Sequence, residues 1–351
     1  ASSRQAAIAL GKEKAPLPKS AKDAKNTLLE RLATIYGCRA ESIQLHPSGM
    51  AALMSALQAV SAIRPKKPTL QIGFPYVDVL KLPQVVFFGS DLLLNTDSSY
   101  LIEQLDQRQP AAVIVELPSN PMLQCIDLPK ISRLAHDRGI PIIADDTIGS
   151  ALNIDALPFA DLIFSSLTKS FAGRGDILAG SLVVNPNSAW SKAFEKETQS
   201  NLLSELSDAD AIALEETSRD FTTRMPKLNL ACNALKQRLE QHSSVARVLH
   251  PGRCINFKSI MRPGAGHGCL LSFELVGGIK QAIRVYDALR VCKGPSLGTD
   301  FTLVCPYVLL AHYKELDWAE ACGVPSHLIR VSVGLEEPED LWRRFESALK
   351  A

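Results

Sequence analysis

Asp161-Leu-Ile-Phe-Ser165-Ser166-Leu-Thr168-Lys169 is an apolar run suited to a buried strand, and it ends in hydroxyl side chains and a lysine. Residues 140–144 before it, Ile-Pro-Ile-Ile-Ala, read as another strand. Residues 128–138 carry helical periodicity, and residues 111–117 read as a strand again. Strand, helix and strand in that order predict a parallel sheet, which residues 180–184 extend. In open α/β sheets, ligands sit beyond the carboxyl ends of the strands. Ser166, Thr168 and Lys169 would face such a ligand. Alone, Lys169 reads as a solvated charge at a strand end; the motifs around it give it another meaning.

A free lysine amine is neutral in well under about one molecule in a thousand at pH 7. Surroundings that depress its pKa turn it into a nucleophile or Schiff-base former. Pyridoxal 5′-phosphate (PLP) chemistry asks for four further parts. These are an acid on the pyridine nitrogen, a phosphate cradle, a flat side chain over the ring and a grip on the substrate carboxylate. Asp145, in Ala144-Asp-Asp-Thr147, ends an apolar strand and is the candidate acid; a helix cap or Asx turn explains the spacing equally well. Ser48-Gly49-Met50-Ala-Ala opens an amphipathic helix whose free amides suit an anion, although by itself Ser48 reads as a plain N-cap. Ser166 and Thr168 add hydroxyls from the other side.

These pieces, taken in order from about Leu28 to Leu349, resemble the Cys/Met-metabolism PLP-dependent enzymes. The matching motifs are Ser48-Gly-Met-Ala-Ala, Glu116-Leu-Pro-Ser-Asn120-Pro, Ala144-Asp-Asp-Thr147, Ser166-Leu-Thr-Lys169, Ser296-Leu-Gly and Leu328-Ile-Arg330-Val-Ser-Val-Gly-Leu-Glu336. Gly73-Phe-Pro-Tyr76-Val-Asp, Cys305-Pro-Tyr and Ala311-His-Tyr resemble the fungal-type cystathionine γ-synthase branch. The resemblance implies a PLP-dependent transferase of fold type I, like aspartate aminotransferase. It has a large domain on a parallel or mixed sheet and a small C-terminal α/β domain. It implies that Lys169 holds the cofactor, that Asp145 pairs its ring nitrogen, and that Ser48, Gly49, Met50, Ser166 and Thr168 bind phosphate. Tyr76 would stack on the ring and shuttle a proton from the substrate amine. Asn120 and Thr147 would lie by the ring hydroxyl. Arg330 would clamp the substrate carboxylate, helped by Ser296 and Asn120. Without the resemblance, Tyr76 reads as a core aromatic and Arg330 as an ion-pair partner of Glu336 or Glu337.

The implied reaction is γ-replacement on an O-acylhomoserine by cysteine, giving cystathionine, in methionine biosynthesis. An O-acylhomoserine sulfhydrylase or a cystathionine or methionine lyase keeps the same site. A non-catalytic PLP-fold binding protein is the reading from another class. It is motivated by a departure from the family pattern, because no Tyr-x-Arg sequence precedes Asn26. Lys12 or Lys14 could replace it only as a point charge. The family also implies a homodimer or homotetramer.

The 351 residues suffice for two domains. The expected division is an arm over 1–23, a PLP-binding domain over 24–221 and a small domain over 222–351. The arm, with its lysines, Pro16 and Pro18, reads as extended. A helix face recurs over 24–37 at Leu28, Leu29, Leu32 and Ile35, and β-like runs follow at 69–74 and 85–88. Residues 204–241 read as helical, with Pro226 kinking or interrupting them and Arg219, Asp220 and Arg224 in solvated ion pairs. Further strands are expected at 269–275 and 330–334, and helices at 279–292 and from Pro338. Arg174 is given no role, and His312 is a structural hydrogen-bonded residue. Net charge is +1, which points to neither nucleic acid nor an anionic membrane. No apolar run approaches the roughly 18 residues of a spanning helix, the first residues lack a signal-peptide core, and the histidines and cysteines lack metal-ligand spacing. Scattered cysteines suit a reducing cytoplasm.

Overall fold

The run that ends at Lys169 is a strand inside a seven-stranded mixed sheet. The structure is a computed structural model and describes residues 2–200 and 205–351. In chain order the first part holds α1 (Ser3–Ala9), α2 (Pro18–Tyr36), β1 (Ile43–His46), α3 (Gly49–Ile63), β2 (Thr69–Ile72), α4 (Val77–Val86), β3 (Ser90–Leu93) and α5 (Ser98–Arg108). It continues with β4 (Val113–Glu116), α6 (Leu128–His136), β5 (Ile142–Asp145), β6 (Leu162–Ser165), β7 (Gly180–Val184), α7 (Ser191–Ser200) and α8 (Asp208–Thr217). The long α9 (Phe221–Gln241) leads into β8 (Val245–Leu249), α10 (Ile255–Lys258), β9 (Leu270–Leu275), α11 (Gly278–Ala288) and β10 (Cys292–Lys293). The chain closes with β11 (Leu303–Pro306), α12 (Tyr307–Ala311), α13 (Leu316–Ala321), β12 (Ile329–Ser332) and α14 (Pro338–Leu349).

The large sheet has the order β1-β7-β6-β5-β4-β2-β3. Its strands from β3 to β6 are parallel, and β7 and β1 run antiparallel to their neighbours. Both faces are buried, so the strands alternate between two cores. Val113, Val115, Ile142 and Ile163 meet Leu28 and Leu32 of α2 on one side. Ile114, Ile143, Leu162 and Phe164 meet Leu53, Ala56 and Val60 of α3 on the other. A parallel strand covered on both faces has little polar content, which is why β4, β5 and β6 are such plain apolar runs. The registers Glu116↔Asp145 and Asp145↔Phe164 bring the carboxyl ends of β4, β5 and β6 level. The second sheet has the order β10-β11-β12-β9-β8 and is antiparallel except at β10–β11. Arg330 lies on its central strand.

Several sequence expectations need correction. The arm is not extended: α1 and the start of α2 fall within it. Ser2 and Gln5 close a capping box, with Gln5 N–H donating to Ser2 Oγ at 3.2 Å and Ser2 N–H to Gln5 Oε1 at 2.9 Å. Pro18 opens α2, where its fixed φ suits a first turn. Ala21 and Ala24 are buried, and such small residues barely register in a hydrophobic pattern. Residues 85–88 are not a strand. Val85 and Val86 end α4, Val85 and Phe88 are exposed, and the strand begins after the positive-φ Gly89. Their β propensity yields to the helix that precedes them. In 204–241, Ser204 lies outside the described residues. The helix breaks at 218–220, and α9 runs without interruption through Pro226. Arg224 is not solvated. It is 4% exposed and donates to the carbonyls of Ser170, Phe171 and Thr217 at 2.8–3.1 Å as well as pairing with Asp220. Among the described residues no helix is long and apolar enough to cross a membrane.

Candidate active site

The level strand ends open onto a cavity of about 800 Å³ whose far wall comes from the second sheet and its loops. Lys169, Tyr76, Ser48, Gly49, Met50, Asn120, Asp145, Thr147, Ser166, Thr168, Ser296 and Arg330 all border it. They come from the ends of β2, β4, β5, β6 and β10 or the segments that follow them, from β12 and from the start of α3, separated by up to 282 positions in sequence.

At one end, α3 points its first turn at the Ser166 turn. Ser48 Oγ accepts the Ala51 amide at 3.1 Å, so Ser48 is an N-cap as well as a wall of the cavity. The Gly49 and Met50 amides belong to the first turn, which has no intrahelical acceptors. Gly49 permits the approach, since a Cβ there would sit 2.9 Å from Ser166 Cβ. The Ser166 amide donates to Thr147 Oγ1 at 2.8 Å, tying the ends of β5 and β6 together. Thr168 is less available than its position suggests. Its hydroxyl accepts from the Ala179 amide at 3.1 Å and lies 3.2 Å from the Ala179 carbonyl.

Asp145 is buried, and burial pushes its carboxyl up to about 6 against the opposing pull of Thr147. The Thr147 amide donates to Asp145 Oδ1 at 2.9 Å. The Asx-turn reading of Asp145 and its position on the cavity are therefore compatible. Lys169 Nζ donates to Ser296 Oγ at 3.2 Å. Burial first, and the charge of Arg330 second, lower its amine to about 8. Gly298 lets the Ser296 loop close on it: φ is +78°, and a Cβ would lie 2.3 Å from the Ser170 nitrogen.

Arg330 is 2% exposed. Its Nη1 donates to Asn120 Oδ1 at 3.1 Å, its Nη2 reaches the carbonyls of Pro295 and Ser296, and its guanidinium lies 4.6 Å over the Tyr307 ring. Glu336 instead takes the Thr302 amide and hydroxyl, both at 2.7 Å, and Glu337 caps α14. Among the described residues no carboxylate forms an ion pair with Arg330; Glu116 lies near enough to feel its charge, and the buried guanidinium borders the cavity. Tyr76 donates from its phenol to Asp78 Oδ2 at 2.9 Å. Burial and Asp78 raise that phenol above its ordinary value.

Sequence reading missed Glu116, Asp78, Lys81 and Tyr307, which also border the cavity. Glu116 carries the signal that exposed Asp145, an acid ending an apolar strand, but its partners are backbone amides. Lys81 pairs with Glu315 at 2.7 Å, and Glu315 also meets His312 Nδ1 at 2.8 Å, so His312 is hydrogen-bonded and buried. Arg174 pairs with Asp300 at the surface. The donor set as a whole fits PLP. It has open helix amides for a phosphate, a buried acid for a ring nitrogen, and a deprotonation-prone amine.

The sequence profile described as "Cys/Met metabolism PLP-dependent enzyme" matches residues 19–350. Cystathionine gamma-synthase of Neurospora crassa is 39% identical over 330 residues, covering 90% of this chain and 53% of the relative. The Saccharomyces cerevisiae cystathionine gamma-synthase is 35% identical over 344 residues, covering 88% and 53%. The chain thus spans about half the length of the curated relatives it matches. Among solved structures, cystathionine gamma synthase from Xanthomonas oryzae pv. oryzae, in complex with aminoacrylate and cysteine, superposes with a TM-score of 0.84 at 25% identity, covering 95% of this chain and 87% of that one. Apo CalE6, a methionine gamma lyase from Micromonospora echinospora, gives 0.79 at 26%, covering 93% and 86%.

Proposed function

The chain belongs to the Cys/Met-metabolism PLP-dependent enzyme family, and on that premise we propose that it performs γ-replacement on an O-acylhomoserine with cysteine to give cystathionine. One observation carries the reading: a half-buried lysine lowered to about 8 borders the same cavity as a buried arginine that, among the described residues, forms no carboxylate ion pair. The first is the amine such chemistry needs. The second asks for an anionic substrate, and an amino-acid carboxylate supplies one. The cystathionine gamma-synthases among the relatives and the solved structures support the choice of substrate class.

PLP, when bound, supplies an electron-withdrawing ring that stabilises negative charge at carbons next to the substrate amine. Asp145 would pair with the ring nitrogen and keep it protonated. The Gly49 and Met50 amides and the Ser166 hydroxyl would hold the phosphate, with Ser48 fixing the helix start and Thr168 bracing the turn. Tyr76 would stack on the ring, and its bond to Asp78 offers a relay that would take a proton from the substrate amine while the phenol stays neutral. Asn120 and Thr147 would lie by the ring hydroxyl. Arg330 takes the substrate carboxylate bidentately, assisted by Ser296 and Asn120. Lys169, once free, moves protons at Cα and Cβ as general base and acid. The acyl oxygen leaves Cγ, and the cysteine sulfur takes its place. We further propose a cytoplasmic homodimer or homotetramer that engages neither nucleic acid nor membrane.

Purified protein loaded with PLP is to be assayed against acetyl-, succinyl- and phosphohomoserine, each with cysteine, with sulfide and without thiol. Cystathionine formation with cysteine is the expected result. Turnover only without thiol would replace the reading by a lyase. Full cofactor loading with no turnover would replace it by a binding protein.

A further inference from the structure

We infer that Glu116 is a positioning residue for the substrate clamp: one of its carboxyl oxygens fixes Asn120, and through Asn120 it fixes Arg330. Glu116 ends β4 and is 7% exposed. Its Oε2 accepts two amides at 3.0 Å, from Tyr76 and from Asn120. The Tyr76 segment follows β2 and the Asn120 segment follows β4, so a single atom binds together two loops that strand pairing leaves free. The next bond continues the chain, with Asn120 Oδ1 accepting from Arg330 Nη1 at 3.1 Å.

Glu116, Asn120 and Arg330 are all at least nine-tenths buried, so water reaches a lost partner only from the cavity they line. A buried amide left unpaired carries its full desolvation penalty. The loop would then move to satisfy it, and Asn120 would leave the guanidinium. Arg330 has other supports in the Pro295 and Ser296 carbonyls and the Tyr307 ring. These hold its Nη2 side and its face. Nη1 donates to Asn120, with Cys305 also against the guanidinium, and that bond helps set the rotation of the planar fork that a carboxylate must meet.

The negative charge of Glu116 is not what the arrangement needs. Burial and neighbouring Asp145, in register across β4 and β5, oppose that charge more than the Asn120 and Tyr76 amides and Arg330 favour it. What the two amides require is an oxygen acceptor at that place. A glutamine offers the same oxygen and an alanine offers none, which separates positioning from charge.

The inference rests on Arg330 being the carboxylate clamp, and the experiment tests both statements apart. PLP-loaded E116A, E116Q, N120A, E116A/N120A and R330A are compared by the KM for the acylhomoserine. E116A is expected to raise KM tenfold or more, and E116Q to stay within about threefold of the parent. In the N120A background, E116A is expected to add less than about twofold, because the arm it acts through is already gone. A merely structural role would instead make the two losses multiply, and that result overturns the inference. If R330A raises KM and E116A does not, Glu116 alone is misassigned. If R330A leaves KM unchanged, the clamp fails and the inference fails with it. Should E116A not fold, E116D takes its place in the cycle; one methylene shorter, it must raise KM at least threefold, and an unchanged KM overturns the inference.

Discussion

Lys169 sits where burial and a neighbouring guanidinium both disfavour its charged form. An amine lowered to about 8 becomes neutral, and so nucleophilic, more than two pH units below an ordinary lysine. The rate at which the cofactor-free protein captures PLP is therefore expected to rise with pH, with a midpoint near 8, and then to level off. A stopped-flow absorbance series checks this, and a rate still climbing toward pH 10 would contradict the lowered amine. Arg330 is tested by truncation. Charge-assisted hydrogen bonds contribute roughly 1.5–3 kcal/mol each, so losing a bidentate pair in R330A is expected to raise the amino-acid KM about 100-fold or more with cofactor content unchanged. Loss of the cofactor instead would place Arg330 elsewhere in the chemistry.

At the scale of elements, α3 and α9 brace the Lys169 turn from two directions. In G49A a Cβ would press on Ser166 Cβ and Cα at 2.9 and 3.0 Å. Backbone on one side and a strand end on the other leave little room to yield. The PLP dissociation constant, read by equilibrium titration, is expected to rise at least tenfold. Arg224 of α9 holds the carbonyls that follow Lys169, and its carboxylate partner Asp220 is exposed. R224M therefore strands buried carbonyls rather than a buried charge, at a cost of about 2–4 kcal/mol in urea unfolding. Elements whose chemistry lies in side chains were legible in the sequence. β4, β5 and β6 were plain apolar runs, and Asp145 and Lys169 stood out as polar groups ending them. The start of α2 was not legible, because Ala21 and Ala24 bury too little surface to mark a face. Residues 85–88 misled, because β-branched and aromatic side chains at an exposed helix end look like those of a strand. Glu116 was passed over, and Arg224 was read as a solvated ion-pair partner, for a shared reason. Glu116 meets main-chain amides, and Arg224 meets main-chain carbonyls beside Asp220, contacts that no residue pattern displays.

On the scale of the whole molecule, the two sheets enclose a cavity with acids beneath it that oppose folding until something pairs with them. Burial raises Asp145 to about 6 and Asp146 to about 7. Their folded values exceed the unfolded ones, so the folded protein binds more protons between about pH 4 and 7. The contribution of these two groups to stability is present below that window and is lost as pH rises through it. Asp146 accepts from the Tyr36 phenol at 2.8 Å, a bond that an asparagine oxygen can keep. D146N without cofactor is therefore expected to lose less stability than the parent between pH 4 and 7, measured by thermal melting. A parallel decline in both would contradict the raised acid. The most direct test of the account loads the protein with PLP, reduces it with borohydride and maps the peptides. The expected result is one pyridoxyl group, on Lys169, absent from K169A. A pyridoxyl group on another lysine, or the same yield of adduct from K169A, would contradict it.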